Sequence, residues 1–252
     1  MATLAEGRVE RARRVSAEHW FYSGMAALLA VVMFAGFAPS YYLHGDAPLD
    51  VGTYLDLPAQ PIRALFLLHG AVFSAWFVLQ LAQSLLVAGR RLALHKWLGQ
   101  AALVLAPLMV IVGMLVVFYT TRHVFHGETQ PTARSAAFPL ALLTWFSGFV
   151  IAGLSLRKRP QAHKRLMLLA SIAIIAPAVG RIEMLPYPDW LPTWWNWAIP
   201  FAAPLIVWDL ATTRRLHPAT LIGVPALVLM FPAVVWIRSM VWWTDMIATL
   251  VS

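Results

Sequence analysis

The sequence contains no cysteine and few charged residues. The absence of cysteine excludes disulfides, thiolate metal sites and cysteine nucleophiles. Charged residues make up 12% of the 252 positions, whereas a soluble domain carries about 25%. P-loop, HExxH, GxSxG and dinucleotide-binding motifs are also missing, and the last apolar segment has no lysine that could form a retinal Schiff base. The small share of charged residues favours a chain that folds in lipid rather than in water.

Apolar residues make up 60% of the sequence, and they are grouped in runs that are long enough to cross a bilayer. The 12 tryptophans suit a protein anchored at both membrane interfaces. We therefore predict an all-α integral membrane bundle of about seven transmembrane helices. Residues 1–19 form a basic cytoplasmic segment and residues 20–252 a single helical domain, with the first apolar run retained rather than cleaved as a signal peptide. The predicted spans are Trp20–Leu43, Ala64–Ala88, Leu98–Thr121, Ser135–Leu156, Leu166–Leu185, Trp195–Thr213 and Ala219–Trp242.

The basic residues set the expected orientation. Most of the 19 Lys and Arg residues lie before the first span or in the connections that follow the second, fourth and sixth spans. The connection between the first and second spans instead holds Asp46, Asp50 and Asp56. The positive-inside rule then predicts a cytoplasmic N-terminus, a C-terminus outside and a bacterial inner-membrane location. The net charge of +8 is explained by this rule, and no nucleic-acid partner is expected.

A weak parallel repeat relates residues 64–121 to residues 135–185. Trp76–Phe77 aligns with Trp145–Phe146, His95–Lys96 with His163–Lys164, and Ala106–Pro107 with Ala176–Pro177. His95 and His163 would each open a helix at the inner interface, at equal depth. Two imidazoles at one level can hold a haem iron from both sides, but an interfacial His more often only anchors a helix start.

Other polar residues inside the apolar runs are candidates for function or for pairing. His69 lies about 10 Å below the outer surface, at 1.5 Å per residue, and would need a partner such as His44, His123 or His126 to act as a ligand. Arg181, Glu183 and Arg238 are expected to form a structural cluster. Asp209 is expected to pair with Arg214, Arg215 or Lys164.

The arrangement of His69, a basic turn, His95 and then His163 resembles the cytochrome b-561 type of transmembrane electron carriers over residues 62–185. The LHKWLG and AHKRLM segments also resemble those of bacterial multi-pass membrane proteins. The cytochrome resemblance implies haem b with His95 and His163 as the inner axial ligands and His69 as an outer ligand. It implies Arg90, Arg91 and Lys158 as contacts for an anionic reductant. No second outer His is found in Ser135–Leu156, so a single inner haem that passes electrons to a quinone or an outer acceptor is expected.

The alternative is a multi-pass protein without a cofactor, either a small transporter or an accessory factor. In that case the two histidines cap helices or bind a transient metal ion. A third possibility, an enzyme that acts on lipid substrates, is disfavoured because the sequence lacks the paired carboxylates or the nucleophile expected near the interface.

Overall fold

The computed structural model describes residues 2–43, 62–125, 131–182 and 195–251, and its described side chains are those of residues 16–43, 64–122, 136–182 and 199–250. Within these ranges the protein is all-helical and has no strand, as the sequence predicts. The helices are α1 (Ala2–Phe37, continued by a π-helical turn at Ala38–Tyr42), α2 (Ile62–Ala88), α3 (Leu92–Leu98), α4 (Ala101–Phe125), α5 (Pro131–Ser155), α6 (Pro160–Ala173), α7 (Ala176–Val179), α8 (Trp195–Thr213), α9 (Pro218–Arg238) and α10 (Val241–Val251).

Five of the described segments are long and apolar enough to cross a membrane. They are Ser16–Tyr42, Ala64–Ala88, Leu92–Arg122, Ala136–Ser155 and Pro218–Arg238. A sixth apolar segment, Ile199–Thr213, is shorter. The structure thus confirms the all-helical class and shows several helices that could cross a membrane, as a multi-pass membrane protein requires.

The predicted fifth span, Leu166–Leu185, is a broken helix in the structure. Helix α6 already begins at Pro160 and ends at Ala173, and the short α7 follows after Ile174 and Ile175. Pro177 explains the break, because its ring excludes the carbonyl of the residue four positions earlier, which is Ala173, and it has no N–H to donate. Every residue of α6 from Arg165 to Ala173 is buried, so α6 is the central helix of the bundle.

The predicted seventh span, Ala219–Trp242, is also shorter than expected. Helix α9 ends at Arg238, and the Ser239 hydroxyl donates to the carbonyl of Trp236 (2.6 Å), which satisfies one acceptor of the last turn. Helix α10 follows as a separate element and contacts α4, α5 and α9.

Trp76 and Trp145, which the sequence comparison above aligns, connect α2 and α5 to the rest of the core. The indole N–H of Trp76 donates to the Ser171 hydroxyl on α6 (3.0 Å), and that of Trp145 donates to the carbonyl of Ala226 on α9 (2.8 Å). Trp76 also meets Phe146 edge to face, with 4.8 Å between ring centroids. Interhelical hydrogen bonds of this kind contribute about 1 kcal/mol each in a membrane protein.

Candidate functional site

The basic turns before α3 and α6 have closely similar backbone structures. In each, an arginine (Arg91 or Arg159) occupies the position before the helix, without a side-chain cap. His95 and His163 are then the fourth residues of their helices. Each donates its backbone N–H to the carbonyl of that arginine, at 3.0 Å in both turns. The two histidines therefore occupy the same position in the same kind of turn.

The imidazole rings of these histidines also make corresponding contacts. Nδ1 of His163 lies 2.8 Å from the carbonyl oxygen of Gly153 on α5, and Nδ1 of His95 lies 3.4 Å from that of Gln83 on α2. A carbonyl accepts only, so these contacts place the hydrogen on Nδ1 and leave the lone pair on Nε2. Both side chains are half-buried, and they are near enough to interact electrostatically.

The side chain of Gln83 gives His95 a second hydrogen-bonding arrangement. With its amide turned, the Gln83 nitrogen donates to Nδ1 of His95, while its oxygen accepts from the N–H of Gly99 (2.9 Å). His95 would then carry its hydrogen on Nε2. The His163 contact has no such competitor among the described hydrogen bonds, so its tautomer is the better defined of the two.

The three predicted substrate contacts, Arg90, Arg91 and Lys158, lie in these turns and are exposed. Arg90 has a positive φ of 59°, an uncommon conformation for a residue with a side chain. None of the three side chains is engaged by another described residue. They form a positively charged rim beside His95 and His163 rather than a closed site.

His69 lies on the other half of α2, away from these turns. Its ring stacks on Phe73, with centroids 4.1 Å apart, and its Nδ1 is buried without a hydrogen-bond partner. The expected partners His44 and His126 lie outside the described residues, as does the side chain of His123. Glu183 of the expected Arg181–Glu183–Arg238 cluster also lies outside them.

A buried ion pair, which the sequence did not reveal, joins α6 to α8. The Arg165 guanidinium contacts the Asp209 carboxylate, with Nε 3.1 Å from Oδ1, and both side chains are almost completely buried. Asp209 Oδ2 also accepts from the Thr220 hydroxyl (2.6 Å) and from the His217 N–H (3.0 Å), both next to the start of α9. The Nη1 group of Arg165 donates to the backbone carbonyl and to the side-chain oxygen of Gln161. The network satisfies both charges and connects three helices.

The expected partners of Asp209 were wrong. Lys164 instead pairs with Glu18 of α1, and its ammonium lies 4.7 Å from the ring centroid of Tyr22. Arg165 faces Asp209 because successive residues of a helix point about 100° apart, and only one of the two can face α8. The sequence signal was that Arg165 directly precedes a long apolar run, but the adjacent basic residues made it resemble part of an exposed basic turn.

His217 ends the connection between α8 and α9 and caps α9. Its Nδ1 accepts from the N–H of Ala219 (3.1 Å). Burial, followed by the nearby positive charge of Arg165, lowers the pKa of His217 below its ordinary value of 6.5. The neutral ring is therefore the form that fits the fold.

No group of three or more His, Asp or Glu residues that could hold a metal ion is present in the described part of the chain, but a haem needs only two histidines. Comparisons with protein-family models, with curated proteins and with solved structures gave no match.

Proposed function

We propose that the protein binds one haem b through His95 and His163. It then carries electrons between a reductant at the end of the bundle that holds the turns at Arg90, Arg159 and Arg214, called the basic end, and a quinone or an acceptor on the opposite side of the membrane. The observation that supports this most is the equivalent position of the two histidines, each with Nδ1 against a carbonyl of the preceding helix. Histidines that bind a metal usually donate their other ring nitrogen in this way, which fixes the ring and leaves Nε2 free.

The proposal includes an orientation and a place in the cell. The basic end, defined by the turns at Arg90, Arg159 and Arg214, would face the cytoplasm of a bacterium, and the chain would cross the inner membrane seven times. In that case α6 with α7, and α8, complete the two crossings that the five long helices lack. The positive-inside rule supports this orientation.

The residues around the histidines have defined parts in this proposal. The Gly153 and Gln83 carbonyls orient the rings, and Arg90, Arg91 and Lys158 attract an anionic reductant to the membrane surface. A bound haem supplies one-electron exchange at this end. His69, with its unpartnered Nδ1, is a ligand only if a second group reaches it from outside the described residues.

The experiment is purification of His95→Ala, His163→Ala and the control His19→Ala, followed by absorption spectra of the oxidised and dithionite-reduced proteins. His19 is also a half-buried histidine near the basic end, on α1. Loss of the haem bands in the first two variants, but not in the control, supports the proposal. Retention of the bands in either ligand variant, at wild-type intensity, contradicts it.

A protein without a cofactor is the second candidate, and the Gln83 side chain favours it. In the turned orientation the Gln83 amide satisfies Nδ1 of His95 and the N–H of Gly99 together, so that His95 acts only in packing α3 against α2. Gln83→Leu separates the two candidates. Haem binding survives this change if the backbone carbonyl orients a ligand. If His95 is structural, the variant is destabilised by about 1–2 kcal/mol and no haem is found in either protein.

A further inference from the structure

An apolar groove runs along α5 between α9 and the start of α6. It has a volume of about 830 Å³, and it is bordered by α5 from residue 144 to its end at Ser155, by Leu156, and by residues 218–226 of α9. At 1.5 Å per residue the α5 wall is roughly 17 Å long, close to half of a hydrocarbon core of about 30 Å. The groove therefore has the length of one acyl chain in one leaflet.

The wall of the groove leaves room for such a chain and opens sideways to the membrane. Gly148 lines it, and a Cβ placed on Gly148 would meet no atom within 4 Å. Ile222 on the opposite wall is 71% exposed. A lipid tail can therefore enter from the bilayer without any movement of the helices.

Three hydrogen-bond donors stand at the basic end of this groove. The Arg159 guanidinium makes no hydrogen bond or ion pair with the rest of the described chain. Gln161 accepts from Arg165 through its side-chain oxygen, so its amide nitrogen is left over. His217 accepts through Nδ1, and its neutral ring therefore carries a hydrogen on Nε2. A guanidinium with two neutral donors suits an anionic phosphate.

The geometry points to a binding site for an anionic phospholipid, with its phosphate at Arg159, Gln161 and His217 and one acyl chain along the groove past Gly148. This site does not depend on the haem proposal. A free phosphate would leave the apolar groove unused. A quinone would leave the Arg159 charge without a partner, because its carbonyl oxygens are neutral.

The test is native mass spectrometry of the full-length protein in mild detergent, titrated with phosphatidylglycerol or phosphatidylcholine. The wild-type protein should bind one phosphatidylglycerol more tightly than phosphatidylcholine. Arg159→Gln should weaken the binding of phosphatidylglycerol about fivefold, the effect of one interfacial charge. Gly148→Phe should weaken the binding of both lipids about tenfold, because the ring occupies the path of the tail.

Gly24→Phe is the matched control, since Gly24 also lies in a helix, is exposed and has no atom within 4 Å of an added Cβ. It should bind like the wild type. Equal effects of the two glycine variants, or equal affinity for the two lipids in wild type and Arg159→Gln, would overturn the proposal. Binding of glycerol 1-phosphate as tight as that of phosphatidylglycerol would assign the site to a free phosphate. Displacement of the lipid by decylubiquinone in the wild type, but not in Gly148→Phe, would assign the site to a quinone. Either result would also overturn the proposal.

Discussion

Removing one partner of the Arg165–Asp209 pair should destabilise the protein more than removing both. Asp209→Leu leaves the Arg165 guanidinium buried with only Gln161 as a partner, and Arg165→Met leaves a buried carboxylate. An uncompensated buried charge of this kind costs about 3–5 kcal/mol. At about 2–4 °C per kcal/mol for a chain of this length, each single variant should lose about 6–20 °C in melting temperature.

The double variant Arg165→Met/Asp209→Leu removes both charges and replaces them with apolar volume. Its main remaining cost is the loss of an acceptor for the Thr220 hydroxyl and the His217 N–H, about 1–3 kcal/mol in total. The double variant should therefore be more stable than either single variant. The coupling energy of the cycle should exceed about 2 kcal/mol.

The assay is thermal unfolding of the four proteins in one detergent, followed by tryptophan fluorescence and checked by size-exclusion chromatography. If the double variant loses as much stability as the two single variants combined, Arg165 and Asp209 act independently and do not form a coupled buried pair.

Two further predictions concern single positions. The melting temperature should fall from pH 7 to pH 5. The folded protein holds the pKa of His217 below 6.5, so as the pH falls the unfolded chain takes up a proton at a higher pH than the folded chain does. The stability contributed by the neutral ring is therefore complete above pH 6.5 and is lost as the pH falls below it. His217→Asn, which keeps a capping side chain, should show a shallower fall, and an unchanged pH profile would contradict the assignment. Gly36→Ala should be destabilising by about 1–3 kcal/mol in thermal unfolding, because its Cβ would lie within 2.7 Å of the Ala178 carbonyl carbon. Gly24→Ala is the control and should not be destabilising, because the space around Gly24 is open. Equal melting temperatures of the two variants would contradict the close approach of α1 and α7.

The helical class and most of the long helices could be predicted from the sequence, because apolar runs without charges identify spans directly. The ends of two helices could not. To predict the break after Ala173, the effect of one proline, Pro177, would have to outweigh an apolar run that continues without interruption through it. Other prolines, such as Pro107 in α4 and Pro139 in α5, lie within helices that continue. Composition does not distinguish these cases, since neighbouring helices decide which broken backbone bonds are tolerated.

The candidate site was predictable in its positions but not in its contacts. The repeated His–Lys pair identified His95 and His163 as equivalent, and the two turns are alike in backbone structure. The carbonyl partners on α2 and α5, and the amide of Gln83, depend on how the helices pack. The same holds for Arg165 and Asp209, which are distant in sequence and meet only in the bundle.

The measurement that tests the central proposal most directly is the reduced-minus-oxidised absorption spectrum of the wild-type protein, purified after expression with added haem precursor. A haem-binding protein should show a Soret band, sharp α and β bands of a low-spin b-type haem on reduction, and one haem per chain by the pyridine haemochrome assay. A folded, monodisperse and colourless protein would contradict the proposal and would leave the cofactor-free membrane protein as the better explanation of the paired histidines.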